Sequence, residues 1–209
     1  MISTLAEIKK HRLVAIIRGL APEHILPVAE ALYLGGVRLL EITMNSVEPL
    51  AAIRSVSEAW GGRMVVGAGT VLDMDMVEAA VSAGARFVLS PVVDPDVIRK
   101  TKELGAVSIP GAYTATEIFT AYRSGADIIK VFPATSPAYI KDMAGPLPHI
   151  PLLPTGGITA ANIGEYARAG AVGFGVGSGL VNTKQPVTPD YLTQVTEKAR
   201  QFTEALGNS

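Results

Sequence analysis

Ala83-Gly84-Ala85-Arg86-Phe87-Val88-Leu89-Ser90-Pro91-Val92-Val93-Asp94-Pro95 holds one whole unit of the fold. Gly84 stops a helical pattern, because glycine readily takes the left-handed backbone that turns a chain out of a helix. Phe87-Val88-Leu89 is a short, unbroken apolar run, as expected of a parallel strand covered on both faces. Asp94 before Pro95 starts the next helix. The carboxylate caps free first-turn N–H groups, and proline fits the first helical position. Working outward, the same grammar recurs. Apolar runs lie at 13–17, 37–42, 64–66, 106–109, 128–132, 152–153 and 172–176. The first seven runs are each followed by a turn and a helix-like segment, and the last reaches one after a longer loop. Glycine stops stand at Gly35-Gly36, Gly105, Gly125 and Gly170. Thr114-Ala115-Thr116-Glu117 is a capping-box pattern, and Asp73 and Thr159 are further cap candidates. Eight β-then-α units in one domain spanning 1–209 predict a compact (β/α)8 TIM barrel with a short N-terminal helix, with an open doubly wound sheet as the competing architecture. The tail after Val187 reads as a last helix that frays at Gly207-Asn208-Ser209.

Composition narrows the function. The chain has 209 residues, 48% hydrophobic and 18% charged, with a formal net charge of −1. That is a core-forming mixture with no basic stripe for a phosphate backbone, so nucleic acid is not expected as a partner. There is no cysteine, which excludes disulfides and thiol chemistry. The first ten residues lack a signal-peptide apolar region and read as an amphipathic helix. No apolar run is long enough to cross a bilayer. A cytoplasmic protein with a small-molecule substrate and no membrane partner is expected. His11, His24 and His149 have no ligand spacing, so no metal site is expected. Asp73-Met74-Asp75 reads as a helix start and Trp60 as packing. Gly67-Ala68-Gly69-Thr70 lacks the third glycine of a dinucleotide fingerprint.

Three charges interrupt or end apolar strands near the C-terminal ends, where barrel active sites lie. Lys130 sits within Ile128-Ile129-Lys130-Val131-Phe132. Burying a lysine favours its neutral amine, which is a nucleophile; the other reading is a lysine paired with an acid. Glu41, in Leu39-Leu40-Glu41-Ile42-Thr43, is either a proton shuttle or the partner of Lys130 or Arg18. Arg18 ends the first strand, and its planar fork suits a substrate carboxylate or a structural acid at the barrel mouth. Thr155-Gly156-Gly157-Ile158 follows strand seven and Gly175-Val176-Gly177-Ser178-Gly179 follows strand eight. Loops after these two strands commonly hold phosphate, through close backbone N–H groups and a following helix N-terminus. Each is otherwise an ordinary tight turn.

Taken together, the phrases Ala15-Ile16-Ile17-Arg18-Gly19, Leu40-Glu41-Ile42-Thr43, Gly67-Ala68-Gly69-Thr70-Val71, Leu89-Ser90-Pro91, Ile109-Pro110-Gly111, Lys130-Val131-Phe132-Pro133-Ala134, Ala144-Gly145-Pro146, Pro154-Thr155-Gly156-Gly157-Ile158 and Gly177-Ser178 resemble one family. It is that of the 2-keto-3-deoxy-6-phosphogluconate (KDPG), 2-keto-3-deoxy-6-phosphogalactonate (KDPGal) and 4-hydroxy-2-oxoglutarate (KHG) aldolases. The resemblance implies a class I aldolase, Lys130 as Schiff-base lysine and Glu41 as general acid/base working through a bound water. It implies that Arg18 and Thr70 lie at the pyruvate carboxylate, and that Gly156, Gly157, Gly177 and Ser178 hold phosphate. Pro91, Phe132 and Thr155 match lining residues. The family also implies a homotrimer with no metal or organic cofactor.

One position departs from the phosphogluconate branch. An arginine that holds the substrate carboxylate there is Asn45 here, within Met44-Asn45-Ser46. The phosphogalactonate branch has a similar Leu-Asn-Ser and an arginine matching Arg18. Asn45 is therefore assigned to the carboxylate region, with a lean towards a galactonate-type or relaxed substrate. Two other functions use the same glycine loops: a phosphate-binding barrel isomerase or epimerase, and a non-catalytic barrel that binds a phosphosugar acid. Neither requires Lys130 in strand six.

Overall fold

The computed structural model describes residues 3–207. The call-and-response of strand and helix begins after α1 (Thr4–His11). It runs β1 (Leu13–Ile17), α2 (Pro22–Leu34), β2 (Leu39–Thr43), α3 (Pro49–Trp60), β3 (Val65–Gly69), α4 (Met74–Ser82), β4 (Phe87–Ser90) and α5 (Pro95–Glu103). It continues β5 (Val107–Ala112), α6 (Ala115–Arg123), β6 (Ile129–Val131), α7 (Pro137–Ala144), β7 (Leu152–Pro154), α8 (Ile163–Arg168), β8 (Phe174–Val176) and α9 (Pro189–Gly207). The strand order is β7-β6-β5-β4-β3-β2-β1-β8, and all paired neighbours are parallel. A doubly wound sheet would reverse direction at a switch point. Here each strand lies beside its sequence neighbour and β1 pairs with β8, so the sheet curls into a barrel. The seam between β7 and β8 is thin. It is joined by one bridge, Thr155 to Gly175, and by Val172 N–H donating to Leu152 O at 2.9 Å.

Alternation along the strands sorts the side chains into two layers. Leu13, Ala15, Leu40, Ile42, Val66, Val88, Ile129 and Val131 belong to the cluster between sheet and helices. Val14, Leu39, Phe87, Leu89, Val107, Ile109, Ile128 and Leu153 form a second cluster inside the barrel, and the fully buried Ile8 of α1 plugs it from below. A strand buried on both faces reads as an unbroken apolar run, which is why the runs marked these strands. One step further along, the inward positions turn polar: Glu41 and Thr43 on β2, Lys130 on β6.

The helix starts follow the sequence. Asp94 accepts from Asp96 N and Val97 N, Asp73 accepts from Met76 N at 2.7 Å, and the Thr114–Glu117 capping box closes. Thr159 departs from expectation. Its hydroxyl accepts from Asn162 N at 3.3 Å in a preceding turn, and Asn162 takes the cap position of α8. β3 and β5 run past their apolar runs, through Gly69 and Ala112. The added positions hold glycine and proline, which an apolar-run reading passes over. Gly84 adopts φ 110°, as its stop role requires. Of the end expected to fray, Gly207 is the last residue of α9; 208–209, like the first two residues of the N-terminal helix reading, lie outside the described residues. No helix among the described residues is long and apolar enough to cross a membrane.

Candidate active site

The C-terminal ends of the strands open into a cavity of about 500 Å³. Arg18, Thr70, Pro91, Lys130, Phe132, Thr155, Gly156, Gly157, Gly177 and Ser178 all line it. Sequence positions 18 to 178 thus converge on one mouth. Two expected residues do not line it. Glu41 is 1% exposed on the barrel interior, and Asn45 is exposed on the turn after β2.

Lys130 faces inward because its neighbours Ile129 and Val131 face the helices. It is 7% exposed, and its Nζ lies 5.1 Å from the centroid of the Phe132 ring. Neither Lys130, Glu41 nor Arg18 forms an ion pair within 4.0 Å among the described residues. The structural pairings open at the sequence level are therefore not made. Glu41 is held by shape instead: Gly69 on the adjacent strand leaves the space its carboxylate fills, and a Cβ there would overlap Glu41 Oε1. Burial raises the Glu41 pKa, opposed by the charges of Lys130 and Arg18. Glu41 Oε2 and Thr155 Oγ1 are buried without a hydrogen-bond partner, and no other described side-chain atom is. Buried polar atoms are nearly always bonded, so two orphans in one barrel mark a place prepared for something else to bond.

The rim is built from loops. Gly156 and Gly157 adopt φ 89° and 70°, a left-handed pair that a side chain would strain. Asn162 Nδ2 donates to Gly157 O at 2.9 Å and fixes that loop. Neither glycine loop runs directly into a helix, contrary to the expected dipole: α8 begins at Ile163 and α9 at Pro189. Anion binding here would rest on backbone N–H groups of the loops. Thr70 has φ 58°, which costs a β-branched residue about 1–3 kcal/mol. Among the described residues no cluster of three or more His, Asp or Glu is placed to hold a metal ion.

A family model described as KDPG and KHG aldolase matches residues 5–197. The chain belongs to that family. It is 36% identical over 178 residues to the 2-dehydro-3-deoxy-6-phosphogalactonate aldolase of Escherichia coli K12, across 84% of this chain and 87% of that one. A solved native KDPGal structure superposes with a TM-score of 0.88 at 33% identity, covering 94% of each chain. The KDPG aldolase of Legionella pneumophila, solved with pyruvate captured as a covalent carbinolamine, gives 0.82 at 27% identity, covering 94% of this chain and 96% of that one.

In this KDPG/KHG family member the cavity includes residues that sequence reading missed: Ile16, Val181, Asn182, Thr183 and Lys184. Four of them sit in the loop between β8 and α9. Thr183 Oγ1 donates to Arg18 O at 2.8 Å, and Tyr191 OH donates to Asn182 O at 3.1 Å, so the loop is tied at both sides. Its signal was its length. A long connection without secondary structure at a barrel mouth is commonly functional.

Proposed function

We propose that this chain is a class I aldolase that cleaves a 2-keto-3-deoxy-6-phospho sugar acid to pyruvate and glyceraldehyde 3-phosphate, and that can also act on 4-hydroxy-2-oxoglutarate. The observation that carries this reading is Lys130: buried, aimed into the barrel and unpaired, at the mouth of a barrel whose interior also holds the orphaned Glu41 carboxylate. The Legionella relative's covalent carbinolamine with pyruvate is the corresponding chemistry in a family member.

Lys130 Nζ attacks the substrate C2 keto carbon and water leaves, giving a protonated imine. Glu41, through a water, takes the proton of the C4 hydroxyl. The C3–C4 bond breaks, its electrons pass into the imine to give an enamine, and glyceraldehyde 3-phosphate departs. Protonation at C3 and hydrolysis of the imine release pyruvate and restore Lys130. The covalent route replaces a carbanion with an enamine. A carboxylate whose pKa is raised by burial suits the proton transfers. Arg18 and Thr70 hold the substrate carboxylate and the glycine loops hold the phosphate, so remote binding positions the reacting bond. The reading places Asn45 beside the carboxylate region rather than in contact with it. It includes one catalytic unit spanning the chain and a cytoplasmic homotrimer.

Borohydride reduction in the presence of pyruvate, followed by intact mass and peptide mapping, tests the reading. We expect one adduct, on Lys130, and none in Lys130→Ala. A folded, pyruvate-binding protein that traps no adduct would overturn the imine assignment. Cleavage of the two C4 epimers, assayed side by side, then identifies the substrate.

A further inference from the structure

A second cavity, of about 390 Å³, opens at the other end of the barrel. Arg38 immediately precedes β2, Arg86 immediately precedes β4, and Arg63 lies in the turn before β3; all three line it. This end is opposite the mouth that holds Lys130, since its residues begin the strands that the other site ends.

The three arginines line one cavity without carboxylate counter-ions. None has a carboxylate within 4.0 Å among the described residues. The one acid lining the cavity, Glu7, is engaged with His11 at 3.1 Å. Two of the arginines are already held in place. Arg38 lies 4.1 Å over the Tyr33 ring and donates to Tyr33 O and Val37 O, each at 2.9 Å. Arg63 lies 4.2 Å over Trp60 and donates to Ala59 O at 3.0 Å. Tyr33 and Trp60 themselves pack at 4.9 Å. The Arg86 guanidinium makes no hydrogen bond, ion pair or ring contact among the described residues.

Like charges gathered on one cavity repel unless an anion joins them. Arginine is permanently charged, and its fork fits phosphate oxygens bidentately. Rings and backbone carbonyls fix two of the forks beforehand, so little side-chain freedom is lost on binding. The cavity falls within the size range of small-molecule sites, with room for more than a bare ion. We infer that the N-terminal end of the barrel carries a second ligand site, formed by Arg38, Arg63 and Arg86, that binds a small organic phosphate monoester. It is independent of the aldolase reading.

Trp60 is the single tryptophan, so emission excited selectively at tryptophan, not tyrosine, reads this end of the barrel. Inorganic phosphate and glycerol 3-phosphate are titrated separately at fixed ionic strength, with chloride as control. We expect a saturable emission change for both, tighter for glycerol 3-phosphate. Arg86→Gln, which breaks no side-chain hydrogen bond or ion pair of the fold, should weaken binding about tenfold, as loss of charged hydrogen bonds implies. Lys130→Ala should titrate as wild type, which separates this site from the catalytic one. Unresponsive emission, an equal response to chloride, or an unaltered Arg86→Gln variant would overturn the site. Equal affinities for the two ligands would overturn its preference for an ester.

Discussion

The two ends of the barrel spend their polar groups differently. At the floor, the Arg86 guanidinium apart, charged and polar side chains bond within the fold. Ser3 caps α1, Arg12 donates to Ala171 O at 2.9 Å while lying over Phe174, and Arg38 bonds two carbonyls. Towards the mouth, Glu41 Oε2 in the barrel interior and Thr155 Oγ1 at the cavity are buried and unmet. Left-handed backbone occurs at both ends but does different things. Arg12, at φ 60°, ends α1, and its N–H returns to Ile8 O; Thr70, at φ 58°, lines the cavity. The lesson is that barrel strands can be secured at their starts and left chemically incomplete at their ends. Stability and reactivity are thereby separated along one axis.

That contrast can be broken by experiment. The largest effect is expected at Glu41. Glu41→Gln should slow aldol cleavage by roughly 10²–10⁴-fold, the usual worth of a general acid/base. Its effect on stability should have the opposite sign. Burial raises the Glu41 pKa, so the folded chain keeps this proton to higher pH than the unfolded chain. The wild type therefore loses stability as pH rises from the ordinary carboxylate value through the raised one. Thermal melts across pH should show Glu41→Gln melting above wild type at neutral pH, with the gap closing below the ordinary value of 4.5. A near-wild-type rate would remove Glu41 from the reaction, and a pH-independent gap would sink the burial argument.

Gly69→Ala comes next. Its Cβ would displace the Glu41 carboxylate, and misplacing a catalytic group by about 1 Å costs up to about 10²-fold in rate. Overpacking should also destabilise the barrel by about 1–3 kcal/mol. Steady-state rates and denaturant melts decide this, and full activity would show that the carboxylate has other room. The smallest effect on turnover belongs to the floor. Arg12→Ala should cost about 1–2 kcal/mol of stability through the lost carbonyl bond and ring contact, with kcat unchanged. A changed kcat would mean that the two ends are coupled.

Much of this was legible in the sequence because barrel strands are simple to read. β1 runs over 13–17, as its apolar run does, and Lys130 and Glu41 stood out because a charge inside such a run has no wet face to occupy. The glycine pairs were visible because their backbone needs no side chain. What stayed hidden depends on three-dimensional neighbours. No local signal separates an ion-paired Glu41 from an orphaned one. Thr70 in left-handed backbone contradicts its own β-branched preference. Its position after β2 puts Asn45 near the carboxylate in a sequence reading, yet it is exposed on its turn and does not line the cavity. The loop residues Asn182, Thr183 and Lys184 carry no motif; the fold alone delivers them to the rim.

The thin junction between β7 and β8 has its own consequence. A hoop gives way at its weakest joint, and here that joint carries the two loops proposed to grip the phosphate. On that reading a bound substrate spans the gap and acts as a clasp. Amide protons on either side would then exchange more slowly with the ligand in place, because a ligand that binds only the closed ring suppresses its opening. Catalysis and the circular integrity of the barrel would share one fastening.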